Sequence, residues 1–172
     1  MIESNRFDIA AARRIKLLLM DCDGVMTDGR LYFSDQGEAM KVFNVRDGQG
    51  LASWHNAGFS SGIISGRGAE EIIGKRAEEL AIAYVRTNSR NKVHDFHAII
   101  EIAGMDAEQV AFVGDDIGDV DVMTASGFPV AVRDACTEVK AVAAYVTEAN
   151  GGHGAIREVT DLLLAAHRLS HK

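Results

Sequence analysis

Along the chain, short apolar runs alternate with stretches in which apolar residues recur at helical spacing. Residues 15–20 read as a strand, as do 62–64, 81–85, 110–113, 130–132 and 145–147. Between them, Leu51 and Trp54 share one helical face that Gly58 would end. Val93, Phe96, Ile99, Ile100 and Ala103 make a more regular amphipathic helix, stopped by Gly104. A last helix follows Gly151-Gly152-His153-Gly154 and would bury Ile156, Val159, Leu162 and Leu163. Strands alternating with helices predict an α/β fold, a Rossmann-like parallel sheet with helices on both faces and right-handed crossovers. Ligands of such sheets bind outside the carboxyl ends of the strands. That rule singles out residues 21–28, 65–67, 87–92 and 114–119.

One segment departs from the alternation. Residues 31–33, a polar turn at 34–37 and residues 40–45 read as a β-hairpin. It follows the first acidic loop, so the hairpin (about 30–45) could overhang the site as a flap. It could equally be an edge hairpin of the sheet, and the two are compatible.

Composition narrows the class. The chain has 172 residues, no repeat or linker and one proline, Pro129, and is expected to form one domain over 1–172. With 47% hydrophobic residues and a mean hydropathy of -0.01 it reads as globular rather than disordered. No apolar run approaches the roughly 18 residues of a membrane span. Residues 1–14 lack the apolar stretch and cleavage site of a signal peptide, so a cytoplasmic location is expected. Lys and Arg total 18 against 25 Asp and Glu; the net charge of -7 argues against general nucleic-acid binding. A phosphate could be held only by a local device: a metal, a lysine or backbone amides. Cys22 and Cys136 are too few for a disulfide framework or a structural zinc site and are expected as reduced core residues.

The strongest chemical signal is Asp21-Cys22-Asp23-Gly24. Side chains alternate along an extended chain, so both carboxylates would face one way and Cys22 the other. Two carboxylates side by side repel unless a cation or proton separates them, and Gly24 would let the backbone turn sharply. An acidic loop that only caps its strand would look the same. A second cluster, Gly114-Asp115-Asp116-Ile117-Gly118-Asp119, again follows an apolar strand. Magnesium, with its octahedron of oxygen ligands, could lie between the two loops. Asp116 or Asp119 could instead start the helix through Met123. Ser65-Gly66-Arg67 places a hydroxyl and backbone amides at a strand-to-helix turn, where phosphate oxygens can bind. Lys92 opens a helix, against the dipole, which suggests another partner, although most surface lysines are simply solvated and Lys92 alone reads as one of them.

The order Asp-x-Asp, Ser-Gly-Arg, Lys, Gly-Asp-Asp, each after a strand, resembles the haloacid dehalogenase-like phosphatase superfamily across most of the chain. Residues 21–29 (DCDGVMTDG), Gly37-Glu38, Lys41, Phe43-Asn44-Val45, Asp47-Gly48, Ser65-Gly66-Arg67, Arg76-Ala77, Leu80, Lys92, Gly114-Asp115-Asp116 and the run from Gly151 to Glu158 resemble the 3-deoxy-D-manno-octulosonate 8-phosphate (KDO 8-phosphate) phosphatase family. Cys22, Asn88-Ser89 and Gly118 depart from that family's usual residues.

The resemblance implies a capless enzyme that is a homotetramer, in which a neighbour helps close each site. It implies a phosphorylated sugar acid as substrate, in lipopolysaccharide precursor synthesis, and neither nucleic acid nor membrane as partner. By the same resemblance Asp21 is the nucleophile and Asp23 the general acid and base. Magnesium is held by Asp21, the backbone carbonyl of Asp23 and Asp115. Ser65 and Lys92 bind phosphoryl oxygens, with Asp116 positioning Lys92 or metal-bound water. Arg67 takes the substrate carboxylate, Thr27 and Arg76 contribute to substrate binding, and the tail (about 150–172) reaches a neighbour's site. Two rivals stand beside this: a phosphatase for a nine-carbon 2-keto sugar acid, which Arg67 disfavours, and a non-catalytic scaffold, which the complete acidic set disfavours.

Overall fold

The leading strand, β1 (Leu17–Met20), is four consecutive fully buried apolar residues, as a strand covered by helices on both faces requires. The structure is a computed structural model that describes residues 8–169. The first seven residues of the stretch searched for a leader, and the last three of the tail and of the 1–172 domain, lie outside those described.

Around β1 stand β4 (Ser60–Ile64), β5 (Tyr84–Arg86), β6 (Val110–Gly114), β7 (Phe128–Ala131) and β8 (Tyr145–Val146), all parallel, in the order β5-β4-β1-β6-β7-β8. Leu17 pairs with both Ser60 and Val110, so β1, β4 and β6 run level and end level. From β1 the chain crosses by α2 (Val45–Asn56) to β4 and then β5 on one side. After α4 (Lys92–Ala103) it returns to β6 and proceeds the other way. Right-handed crossovers in opposite directions put α2 and α4 on opposite faces. With α2 pack α7 (Ala155–Arg168) and, behind it, α1 (Ile9–Arg14). With α4 pack α5 (Val120–Ala125) and α6 (Thr137–Val142). The reversal of strand order falls between β1 and β6, and there the carboxyl ends open a crevice.

All six expected strands are present, with shifted ends. The third begins at Tyr84 rather than residue 81, because Ala81 takes a left-handed φ of 54° that no strand accommodates. The hairpin is β2 (Tyr32–Ser34) with β3 (Gly37–Met40), not 31–33 with 40–45. Its chain reverses at once over Asp35-Gln36, pairing Ser34 with Gly37. The stretch expected as its second strand ends in a helix start: the Asn44 side chain accepts the Arg46 amide and opens α2 at Val45. The hairpin is a sheet of its own rather than an edge of the main one. Helix α3 (Glu70–Glu79) was silent in the sequence. It buries only Ile73 and Ala77 and carries no side-chain cap. Gly104 ends α4 in the left-handed region, at φ 63°, as its position suggested.

Candidate active site

The Asp21 amide donates to the Val113 carbonyl at 3.0 Å, carrying the β1–β6 ladder one residue past the strand. That bond fixes where the acidic loop begins. Cys22 points into the core and is fully buried, its thiol pushed well up by burial. The backbone then turns at Gly24, with φ 85°, against which the Asp115 carboxylate packs so closely that any Cβ would collide with it. Thr27 closes the loop from beneath: its buried hydroxyl accepts the amides of Gly24 and Gly29 at 3.3 and 3.2 Å.

Carboxylate oxygens of Asp21, Asp115 and Asp119 lie within 4.8 Å of one another. Burial first, then the neighbouring Asp119 charge, pushes the Asp21 carboxyl up to about 6, although Lys92 opposes this. Burial, Asp21 and Asp119 push Asp115 up to about 8. Lys92 donates to Asp21 at 2.8 Å and to Asp119 at 2.7 Å. Burial works against its charge, but these two carboxylates outweigh it and hold its pKa above the ordinary lysine value. The partner that the placement of Lys92 against the helix dipole called for is therefore this pair. Asp119, not Asp116, holds Lys92. Asp116 faces solvent and accepts the Ile117 amide at 2.8 Å, capping the turn that leads into α5.

Asp119 spends one oxygen on Lys92 and the other on the amides of Asp115 and Asp116, at 3.0 and 3.4 Å. Asp115 keeps spare capacity, for its Oδ1 is buried and lacks a hydrogen-bond partner among the described residues. A hard cation between Asp21 and Asp115 satisfies that oxygen and relieves the repulsion. The donor set fits magnesium. The carboxylate of Asp23 does not join this cluster, being turned toward Lys41.

Around Asp23 the hairpin contributes two residues to which the sequence reading gave no role. Lys41 Nζ donates to Asp23 Oδ1 at 2.5 Å and to Glu38 Oε1 at 2.6 Å. Arg67 Nη2 donates to Glu38 Oε2 at 3.2 Å, and its Nε stands 3.7 Å from Asp23 Oδ2. No local pattern announced them, since a spacing of three puts strand neighbours on opposite faces. A cleft of about 360 Å³ is lined by Asp21, Asp23, Ser65, Arg67, Lys92 and Asp115, among others. Ser65 is buried at its floor, and the Asn88-Ser89 pair extends the β4–β5 ladder beside it through bonds to the Arg67 and Ser65 carbonyls. Gly118 lines the cleft with open space around it, so the residue usual there would fit.

Two expected substrate contacts lie elsewhere in this chain. Thr27 is under the loop, and Arg76 bonds Glu79 at 2.8 Å and lies over the Phe43 ring. Neither lines the cleft. The glycine run turns back onto the chain's own acidic loop: Gly152 donates to Val25 at 2.9 Å, and a Cβ on Gly151 would meet the Gly24 carbonyl. Arg157, at the start of the last helix, has acidic partners within the chain. Asp161 takes its Nε at 2.7 Å, and buried Asp47 of α2 accepts its amide at 2.9 Å.

A parallel sheet with an acidic crevice at its switch point and an Asp-x-Asp loop define a haloacid dehalogenase-like hydrolase, and a family profile of that description matches residues 51–159. The 3-deoxy-D-manno-octulosonate 8-phosphate phosphatase KdsC of Yersinia pestis is 42% identical over 158 residues, 92% of this chain and 84% of the relative. A crystal structure of the Moraxella catarrhalis phosphatase of that name, in complex with magnesium ion, phosphate ion and KDO, superposes with a TM-score of 0.90. It is 33% identical and spans 93% of this chain and 91% of its own. The cobalt-bound Haemophilus influenzae phosphatase gives 0.89 at 36% identity, covering 92% of each chain. The chain belongs to the haloacid dehalogenase-like hydrolases and, within them, to the 3-deoxy-D-manno-octulosonate 8-phosphate phosphatase family.

Proposed function

We propose that this protein is a magnesium-dependent phosphatase that converts KDO 8-phosphate to the free sugar acid and phosphate. The observation carrying this is the meeting, at one cleft, of Asp21, Asp23, Lys92 and Asp115, in a chain 42% identical to a KDO 8-phosphate phosphatase over nearly its whole length. Asp21 attacks phosphorus and becomes an aspartyl-phosphate. Asp23 gives a proton to the departing sugar oxygen, then takes one from the water that hydrolyses the intermediate. Ser65 and Lys92 hold the phosphoryl oxygens, and Arg67 grips the substrate carboxylate. Magnesium, held by Asp21, Asp115 and the Asp23 carbonyl, supplies charge neutralisation and alignment, which phosphoryl transfer chiefly needs. The pocket's size suits a small phosphorylated sugar.

The reading includes a homotetramer. Leu31, Phe33, Met40, Val42 and Val45, on and beside the hairpin, are exposed large apolar residues; Phe33 is 64% and Val45 80% exposed. Such a cluster on one projecting element fits burial by another copy. Both cysteines are free thiols, in keeping with a cytoplasmic enzyme.

The test is phosphate release with magnesium on a panel of sugar phosphates, beside Asp21→Asn. KDO 8-phosphate should be the preferred substrate, and the variant should melt like wild type yet lose on the order of a thousandfold or more in kcat. Activity of the variant within a few-fold of wild type would reject Asp21 as nucleophile.

A further inference from the structure

Lys41 follows β3, and its side chain is only 1% exposed. Lysines are rarely enclosed so completely unless paired. Its two partners, Asp23 and Glu38, also both face Arg67. The four charges close a ring: Asp23 to Lys41 at 2.5 Å, Lys41 to Glu38 at 2.6 Å, Glu38 to Arg67 at 3.2 Å and Arg67 back to Asp23 at 3.7 Å. The last side differs from the others. Asp23 Oδ2 and Arg67 Nε are both buried and both lack a hydrogen-bond partner among the described residues. Unmade bonds on two facing buried atoms are costly, so that side is built for something that arrives.

The two oxygens of Asp23 therefore differ. Oδ1 is tied to an enclosed ammonium, which donates hydrogen bonds and can accept none. Oδ2 makes no hydrogen bond among the described residues and meets only Arg67 Nε, at 3.7 Å, beside the cleft that Asp23 lines. We propose that Lys41, fixed in turn by Glu38, is a positioning residue that anchors Asp23 through Oδ1 and so commits Oδ2 to the proton transfer. The proposal rests on the reading of Asp23 as general acid and base. As Asp21 forms its bond to phosphorus, the bond to the sugar oxygen breaks. Its electron pair stays on that oxygen, which takes the Oδ2 proton. In the second step the oxygen of water attacks phosphorus, its proton passes to Oδ2, and the Asp21 carboxylate departs. Lys41 gives and takes no proton in either step. The hairpin thus delivers the anchor of the acid, a task distinct from overhanging the cleft.

A positioning role separates from a structural one by leaving group. A sugar alkoxide needs the proton; p-nitrophenolate does not. With magnesium saturating throughout, single-turnover rates on KDO 8-phosphate are compared with the burst rate of p-nitrophenolate from p-nitrophenyl phosphate. Asp23→Asn should lose roughly a hundredfold more on the sugar phosphate than on the aryl phosphate. Lys41→Met should show the same selective loss, at least about tenfold, because its acid is no longer held. Should Lys41→Met not fold, as judged by melting, Lys41→Gln carries the comparison, since its shorter, uncharged amide no longer ties Oδ1 with an ammonium. Equal losses on both substrates, or none, in a folded Lys41 variant while Asp23→Asn keeps its selectivity would overturn the proposal and leave Asp23 in its role. Absence of selectivity in Asp23→Asn would overturn both.

Discussion

Asp21 and Asp115 hold their protons to higher pH than an isolated aspartate, for burial and the charge of Asp119, joined at Asp115 by that of Asp21, penalise ionisation. Both folded-state values, about 6 and about 8, exceed the ordinary 3.8, so the folded chain retains protons that the unfolded chain has released. The resulting stability is complete below the ordinary value and is lost as pH rises through about 6 for Asp21 and about 8 for Asp115. In EDTA the melting temperature should therefore fall from about pH 5 to about pH 8.5. Magnesium should restore most of the loss, by about 2.7 kcal/mol at a hundredfold excess over Kd, and restore more at the alkaline end, where no proton competes. Thermal melts with and without magnesium at both pH values check this. An equal magnesium gain at both would mean that these carboxylates are not the ligands.

At the scale of elements, the final helix and the glycines before it brace the acidic loop. Asp47 accepts the Arg157 amide, Asn44 donates to the Gly152 carbonyl at 3.1 Å, and Asp134 accepts the Gly151 amide at 2.9 Å. Two of the glycines serve for different reasons. A Cβ at Gly151 would strike the Gly24 carbonyl, which is backbone and cannot step aside; at Gly154 the space is open but φ is 104°. Gly151→Ala should consequently lower both the melting temperature and kcat, by shifting the loop that carries Asp23. Gly154→Ala should cost roughly 1 kcal/mol of backbone strain with kcat unchanged. Melting and steady-state kinetics of the pair decide the matter. Loss of kcat in Gly154→Ala alone would point to a role outside this chain, and unchanged kinetics in a stable Gly151→Ala would remove the brace.

At the scale of the molecule, the hairpin looks both ways. Glu38 and Lys41 turn inward to Asp23 and Arg67, while Phe33 and Met40 face solvent. If those residues join copies of the chain, Phe33→Glu should yield a smaller particle by light scattering. It should also reduce kcat/KM on the sugar phosphate, because the hairpin that anchors Asp23 loses its support. A variant of unchanged mass would reject the hairpin as an interface.

What could be read beforehand divides along physical lines. Period and local chemistry are carried by neighbours in the chain: the buried runs of β1 and β6 and the glycine end of α4 announced the elements, and their alternation a parallel sheet. The Asp-x-Asp and Gly-Asp-Asp loops stood out because each follows such a run. Helix α3 did not, since two buried residues and no cap leave almost no periodic trace. Pairings across the chain were settled only by the fold. Asp116 and Asp119 look alike in sequence, yet only Asp119 is turned inward to meet Lys92, 27 residues away. Nothing local announced that Asp47 of α2 would accept the Arg157 amide at the start of α7, 110 residues away. Lys41 and Glu38 had no assigned role until packing enclosed them with Asp23 and Arg67. The sequence alone determined which groups the protein has and on which strand ends they sit; which carboxylate holds which cation was decided by tertiary structure, because that depends on distance and burial, and neither is a property of neighbouring residues.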